Sequence, residues 1–124
     1  MSAPSLSFLT LRSSNMETAL SFYRALGFEF VEEQHGAGPR HHSSKAGATV
    51  IEIYPGEHGR APELRSAGAT LIGFGVANLD QALTSLTQLG APVLTPAKQS
   101  PWGRRAVVAD PDGRAVDLSE LIQS

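Results

Sequence analysis

Residues 8–27 and 71–90 read as two copies of one unit set 63 positions apart. Phe8-Leu9-Thr10-Leu11 leads through Asn15 into an amphipathic run that closes at Leu26-Gly27. Leu71-Ile72-Gly73-Phe74 leads through Asn78 into a second such run, closing at Leu89-Gly90. Asn15 aligns with Asn78, Ala19 with Ala82, Leu20 with Leu83, Leu26 with Leu89 and Gly27 with Gly90, without a gap. A repeated strand-helix unit in so short a chain constrains the fold to a two-fold internal architecture. Such a fold sets equivalent side chains of both halves around one central cleft.

Around the repeat the elements follow from period and punctuation. Residues 6–12 alternate as a strand. Ser14-Asn15-Met16-Glu17 fits a capping box with Ser14 as N-cap, and Asn15 is the alternative cap. The helix then carries Met16, Ala19, Leu20, Tyr23 and Leu26 on one stripe. Phe28 to Glu33 reads as a strand, and residues 34–39 as a Gly/Pro-rich loop. Arg40 to Lys45 and Ala48 to Tyr54 form a hairpin turning at Ala46-Gly47. Residues 56–68 link module one (5–55) to module two (69–122). In module two, Leu71 to Val76 is a strand. Asn78 caps a helix that buries Leu79, Ala82, Leu83, Leu86 and Leu89. The prolines of Ala91 to Pro96 make that strand an edge. Lys98 to Gly103 is a loop carrying Trp102. Arg105 to Ala109 and Ala115 to Leu121 are strands joined by the tight turn Asp110-Pro111-Asp112-Gly113. Strand-helix-strand-strand-strand therefore occurs twice, an α+β arrangement of two βαβββ modules.

Several classes of function are excluded. A net charge of −2, with Arg104-Arg105 the only basic doublet, offers no basic face for nucleic acid. The chain has no cysteine, which removes disulfides, thiolate catalysis and thiolate metal sites. Leu6 to Leu11 is short and broken by Ser7 and Thr10, so it is neither a signal peptide nor a membrane span. A cytoplasmic location is expected. Gly36-x-Gly38 does not open a helix and is no phosphate loop.

In its order and spacing the chain resembles the vicinal oxygen chelate superfamily, which holds glyoxalase I, extradiol dioxygenases and bleomycin-resistance proteins. The matching pieces are Asn15-Met16-Glu17 through Phe22-Tyr23 and Leu26-Gly27-Phe28, then Ile51-Glu52-Ile53-Tyr54-Pro55. Asp110-Pro111-Asp112-Gly113 with Val116-Asp117-Leu118 completes them. Pro101-Trp102-Gly103-Arg104 is similar to a stretch of the bleomycin-resistance-like branch. The resemblance implies curved mixed sheets around a cleft, with the helices on the outer face. For enzymes of the superfamily it implies a divalent metal held from four strand positions. Here those positions are Phe8, Glu52, Leu71 and Asp117, and Phe8 and Leu71 cannot ligate. No bound metal is therefore expected, since two carboxylates alone make a weak transition-metal site. A divalent metal held by Glu52, Asp117 and a nonstandard histidine is the alternative. A two-residue turn at Ala46-Gly47 puts His41 on the face of Glu52, whereas a three-residue turn puts His42 there. His35 and His58 are read as surface residues of loops.

Strand alternation sends Phe8, Thr10 and Arg12 to the cleft, with Leu71, Gly73 and Gly75 from module two. Glu52 and Tyr54 join from the fourth strand, Asp117 and Ser119 from the last. The expected pocket has an apolar floor of Phe8 and Leu71, a polar set of Thr10, Arg12, His41, Glu52, Tyr54, Asp117 and Ser119, and space left by Gly73 and Gly75. Arg12 is the one cation sent there, free for an anion or paired with Glu52 or Asp117. Trp102 is a stacking lid or a packing plug. The reading that follows is a small-molecule-binding protein that sequesters an apolar or aromatic compound as a homodimer. A metal-dependent lyase, isomerase or dioxygenase is the first alternative. A metal-free enzyme with Glu52 or Asp117 as general base is the second.

Overall fold

The computed structural model describes residues 6–56, 71–101 and 103–121. Apart from Gly56, the expected linker lies outside the described residues, as do His58 and Trp102. Two four-stranded sheets repeat one topology. The first holds β1 (Phe8–Ser13), β2 (Val31–Glu33), β3 (His41–Ala46) and β4 (Thr49–Pro55) in the order β1-β4-β3-β2, with α1 (Met16–Ala25) packed on one face. The second holds β5 (Ile72–Val76), β6 (Val93–Ser100), β7 (Gly103–Ala109) and β8 (Ala115–Glu120) in the order β5-β8-β7-β6, with α2 (Leu79–Gln88). In each module the first strand runs parallel to the last and all other pairings are antiparallel. No helix among the described residues is long and apolar enough to cross a membrane.

The repeat extends to the helix caps. Asn15 accepts a hydrogen bond from the Thr18 amide at 3.2 Å, and Asn78 accepts one from the Gln81 amide at 3.0 Å. Each satisfies a donor the first helical turn leaves unpaired. Ser14 is therefore not the cap, because Ser13 binds both the amide and the carbonyl of Asn15 and closes the turn ahead of it. After the helices, Gly27 and Gly90 take positive φ, where a side chain would be strained.

The first hairpin turns on Gly47-Ala48, one residue later than expected, with Ala46 opposite Thr49. Gly47 has φ of 63° and no non-glycine residue among the described residues has positive φ, which fits a two-residue turn with glycine first. The shift moves Ser43 opposite Glu52. The pairing moves by two residues, so facing is preserved and His41 keeps the side of Glu52. β6 is an edge strand, as its prolines required, but it runs to Ser100. One register shift falls between Val93 and Thr95, and a second, between Thr95 and Lys98, spans Pro96, where the ladder loses a donor. Lys98, Gln99 and Ser100 pair with Arg105, Arg104 and Gly103, so most of the expected Lys98–Gly103 loop is strand.

The helix-covered faces of both modules feed one core. Leu11, Leu20, Phe22, Tyr23, Ile51 and Ile53 from module one join Val76, Leu79, Leu86, Val108, Val116 and Leu118 from module two. Phe74 meets Phe28 and Tyr23 edge to face, at centroid distances of 5.0 and 6.3 Å. Such pairs add about 0.5–1.5 kcal/mol beyond area burial. Leu26 and Leu83 are only partly buried, and Leu89, expected inside, is exposed.

A polar knot pins the modules together at the Asp110-Pro111-Asp112-Gly113 turn. The fully buried Tyr23 on α1 donates its hydroxyl to Asp110 Oδ2 at 2.6 Å. Asp110 Oδ1 accepts the amides of Asp112 and Arg114 at 2.9 and 3.0 Å. Arg114 Nη1 donates to Asp110 Oδ2 at 3.0 Å, and Arg114 Nη2 donates to the Arg12 carbonyl at 2.6 Å. Burial, then the adjacent Asp110 charge, pushes the Tyr23 phenol far above its ordinary range, so it stays a donor.

Candidate functional site

Each sheet has a second face, opposite the core. In sheet one, Leu9, Leu11, Ile51 and Ile53 turn toward the core, so alternation sends Phe8, Thr10, Arg12, Glu52 and Tyr54 the other way. The parallel register sets Thr10 beside Glu52 and Arg12 beside Tyr54. Thr10 Oγ1 donates to Glu52 Oε1 at 3.2 Å. The Arg12 guanidinium lies 5.5 Å from the Tyr54 ring centroid. At an exposed position that contact is worth about 0.5–1 kcal/mol. His41 stacks on the same ring at 4.2 Å, 9° from parallel.

His41 is only 1% exposed. Its Nδ1 lies 3.3 Å from the Pro39 carbonyl, an acceptor, so the ring nitrogen there carries the proton. Its Nε2 is buried with no hydrogen-bond partner among the described residues. That nitrogen sits 3.6 Å from Glu52 Oε2 and 3.8 Å from Glu33 Oε1. Ser43 Oγ donates to Glu33 Oε1. The His35 ring lies 5.1 Å from that of His41. Donor atoms of Glu33, His35 and His41 all fall within 4.8 Å of one another. His42 faces the other way, opposite Ile53 and 3.7 Å from Glu32 Oε2.

Sheet two offers a different surface. Gly73 and Gly75 lie opposite Asp117 and Ser119. Asp117, 5% exposed, takes a two-pronged contact from Arg105: Nε donates to Oδ1 at 3.3 Å and Nη2 to Oδ2. Ser119 Oγ is 3.5 Å from the same Oδ1. The hydrogen bond and charge of Asp117 hold the Arg105 guanidinium above its ordinary value. Gly73 leaves room beside Asp117, whereas the Leu121 side chain occupies the place a Gly75 side chain would take.

Of the two roles left open for Arg12, these contacts give the one without an ion pair to either carboxylate. Arg12 rests over Tyr54 and pairs with neither Glu52 nor Asp117. Asp117 is taken by Arg105, a second cation on an open face. Sequence reasoning placed Arg105 in a strand without asking its direction, although pairing with Ser119 decides it. Glu33 and His35 were also missed as a pair. Their spacing of two near a strand end was the available signal. His35 is exposed, as expected of a loop residue, yet it joins the His41 cluster.

Thr10, Arg12, His41, Glu52 and Tyr54 thus form one connected group, while Asp117 and Ser119 belong to a separate one on sheet two. Phe8 and Leu71 are 60% and 54% exposed. A groove of about 860 Å3 is lined by Leu71, Gly73 and Gly75 together with Leu9, Phe28, Ile51 and Phe74. The four positions of a superfamily metal do not fit one here. Phe8 and Leu71 lack donor atoms, and both oxygens of Asp117 are engaged by Arg105.

Residues 5–118 match the family model described as the Glyoxalase/Bleomycin resistance protein/Dioxygenase superfamily. Among curated proteins nothing matches. One similar solved structure is a member of that superfamily from Sphaerobacter thermophilus, 28% identical, with a TM-score of 0.68 over 96% of this chain and 98% of that one. Another is TnmS3, an antibiotic binding protein from Streptomyces sp. CB03234, 23% identical, with a TM-score of 0.70 over 98% and 99%. A third is a lactoylglutathione lyase from Agrobacterium tumefaciens, 21% identical, with a TM-score of 0.62 over 95% and 94%. The second and third likenesses show the fold.

Proposed function

The chain belongs to the glyoxalase/bleomycin resistance protein/dioxygenase superfamily, and we propose that within it the protein binds and sequesters a planar or aromatic small molecule carrying negative charge. The observation that carries this is the open face of sheet one. There Tyr54 is stacked by His41 on its own sheet and overlaid by Arg12. A flat ring beside a guanidinium that has no ion pair among the described residues suits a planar anion. TnmS3 is an antibiotic binding protein on the same fold, and that use of the fold is the one proposed for this chain. The superfamily's metal-dependent reactions are disfavoured by the donor set at Phe8, Glu52, Leu71 and Asp117.

The binding unit is a homodimer in this reading. Leu6, Phe8, Val31 and Leu71 are large apolar side chains left exposed. A second copy laid over the open faces would cover them and turn each face into one wall of a cleft. Sedimentation at micromolar concentration is expected to give twice the 13.1 kDa chain mass. A mass near that of one chain would refute the dimer.

Binding is testable with a panel of aromatic carboxylates and phenolic natural products. Trp102 is the only tryptophan, so its emission is a clean reporter, and we expect a bound ligand to quench or shift it. Arg12→Ala should weaken an anionic binder by about 1.5–3 kcal/mol, the value of a charge-assisted hydrogen bond. Binders whose affinity ignores both Arg12→Ala and Trp102→Ala would show that the ligand sits elsewhere.

A further inference from the structure

We propose that Glu33, His35 and His41 form a site for a divalent transition-metal ion of zinc's class, separate from the four superfamily positions and sharing no residue with them. The argument starts from His41 Nε2. With Nδ1–H facing the Pro39 carbonyl, the lone pair at Nε2 is the one left to hold a proton or a metal ion. That lone pair is buried, has no donor, and faces two carboxylates at 3.6 and 3.8 Å. A lone pair aimed at two anions is repulsive unless positive charge lies between them. An imidazole anchored by Nδ1–H to a backbone carbonyl, with Nε2 free, is also how metal-binding histidines are oriented.

The neighbours supply the remaining donors. Glu33 and His35, two residues apart, turn to the same side as His41, and the three donor atoms already lie within 4.8 Å of one another. Ser43 donates to Glu33 Oε1 and orients the carboxylate. Tyr54, stacked on His41, fixes the plane of its ring. Two imidazoles and a carboxylate are a donor set that suits zinc, nickel or copper, not magnesium or calcium. Three protein ligands on an open sheet face leave a coordination position for solvent or a ligand atom. The inference stands independently of the small-molecule reading.

The test uses the full chain, purified without a metal-affinity tag and stripped with a chelator. Zinc is titrated calorimetrically, and cobalt(II) is followed by its visible absorption. About one ion per chain is expected. Replacing a ligand should cost at least as much as replacing an outer-shell partner, about 10–100-fold in affinity. His35→Ala is the main variant because His35 is exposed and its loss leaves the fold intact. His41→Phe keeps the stack on Tyr54 while removing the nitrogen. Glu32→Gln, beside His42 on the other face, should bind as the parent does. Loss in His35→Ala and His41→Phe but not in Glu32→Gln supports the site. Three outcomes overturn it: no binding of either ion, affinity unchanged in His35→Ala, or equal loss in Glu32→Gln. A His41 resonance that titrates with pH but does not respond to zinc overturns it too, since a proton would then be the charge at Nε2.

Discussion

The open faces of the two modules are built on one backbone and spend their charges differently. On sheet one, His41 and Glu52 form a loose diagonal, 3.6 Å apart and without a hydrogen bond. On sheet two, the equivalent diagonal of Arg105 and Asp117 is closed by two hydrogen bonds. Thr10 and Arg12 on β1 correspond to Gly73 and Gly75 on β5, so module two has no polar side chain at those places. Module two commits further charges to structure. Asp110 ties it to α1 through Tyr23, Arg114 reaches the Arg12 carbonyl on β1, and Glu120 Oε2 accepts the Leu79 amide at the start of α2, at 2.9 Å. Duplication has divided the work: one half supplies the anchor, the other keeps its chemistry uncommitted.

The comparison breaks most readily at the anchor. Asp110→Ala strands the Tyr23 hydroxyl, two amides and the Arg114 guanidinium, all inside or at the edge of the core. Denaturant unfolding should show a loss of about 3–5 kcal/mol, the cost of breaking a buried, hydrogen-bonded charge. A loss below about 1 kcal/mol would mean the modules hold together by apolar packing alone.

Tyr23→Phe is the next largest change. It removes one hydrogen bond to a buried carboxylate, about 1.5–3 kcal/mol at neutral pH. It also carries a pH signature. The phenol's ordinary value is 10.0 and the folded value is higher, so above about pH 10 the unfolded chain releases this proton while the folded chain keeps it. Stability contributed by Tyr23 is therefore present below that pH and declines as pH rises past it. Urea midpoints measured from neutral to strongly alkaline pH should fall more steeply in the parent than in Tyr23→Phe. Parallel curves would contradict the assignment.

The smallest effects sharpen the contrast between the faces themselves. Arg105→Ala leaves the buried Asp117 without its cation and should lower the thermal midpoint measurably, though less than Asp110→Ala. Arg12→Ala, its counterpart in charge on sheet one, should change stability by no more than about 1 kcal/mol, the value of its exposed contact with Tyr54. Equal shifts in the two variants would show that both cations are structural and that the faces do not differ in kind.

Much of this architecture was legible because the repeat and the alternation are periodic signals. The βαβββ order and the edge character of β6 came from periodicity and from proline, whereas the choice between His41 and His42 for the face of Glu52 stayed open until the register set Ser43 opposite Glu52. What was missed depended on pairing across the chain. The Asn15 cap was obscured by a plausible capping box at Ser14-Glu17, although Asn78 in the second copy pointed to the right residue. β6 ran on past Pro96 because a bulge absorbs the missing donor locally, which the proline alone does not reveal. The Arg105–Asp117 contact needed the register of β7 against β8. The Glu33, His35 and His41 cluster needed β2 to pair with β3 as Glu33 opposite His41. No local pattern announces a match between segments so far apart.

The knot at Asp110 also bears on how such a chain evolves. Tyr23, Asp110 and the Arg114 guanidinium hold the halves in place from the core side, and Arg12 enters only through its carbonyl oxygen, which any residue would supply. The side chains at positions 10, 12, 33 and 35, none of them fully buried, are thereby released from the duty of maintaining the fold. A lineage can rewrite that surface one residue at a time, each intermediate still folded, and so change the chemistry of the face by drift before selection acts on it.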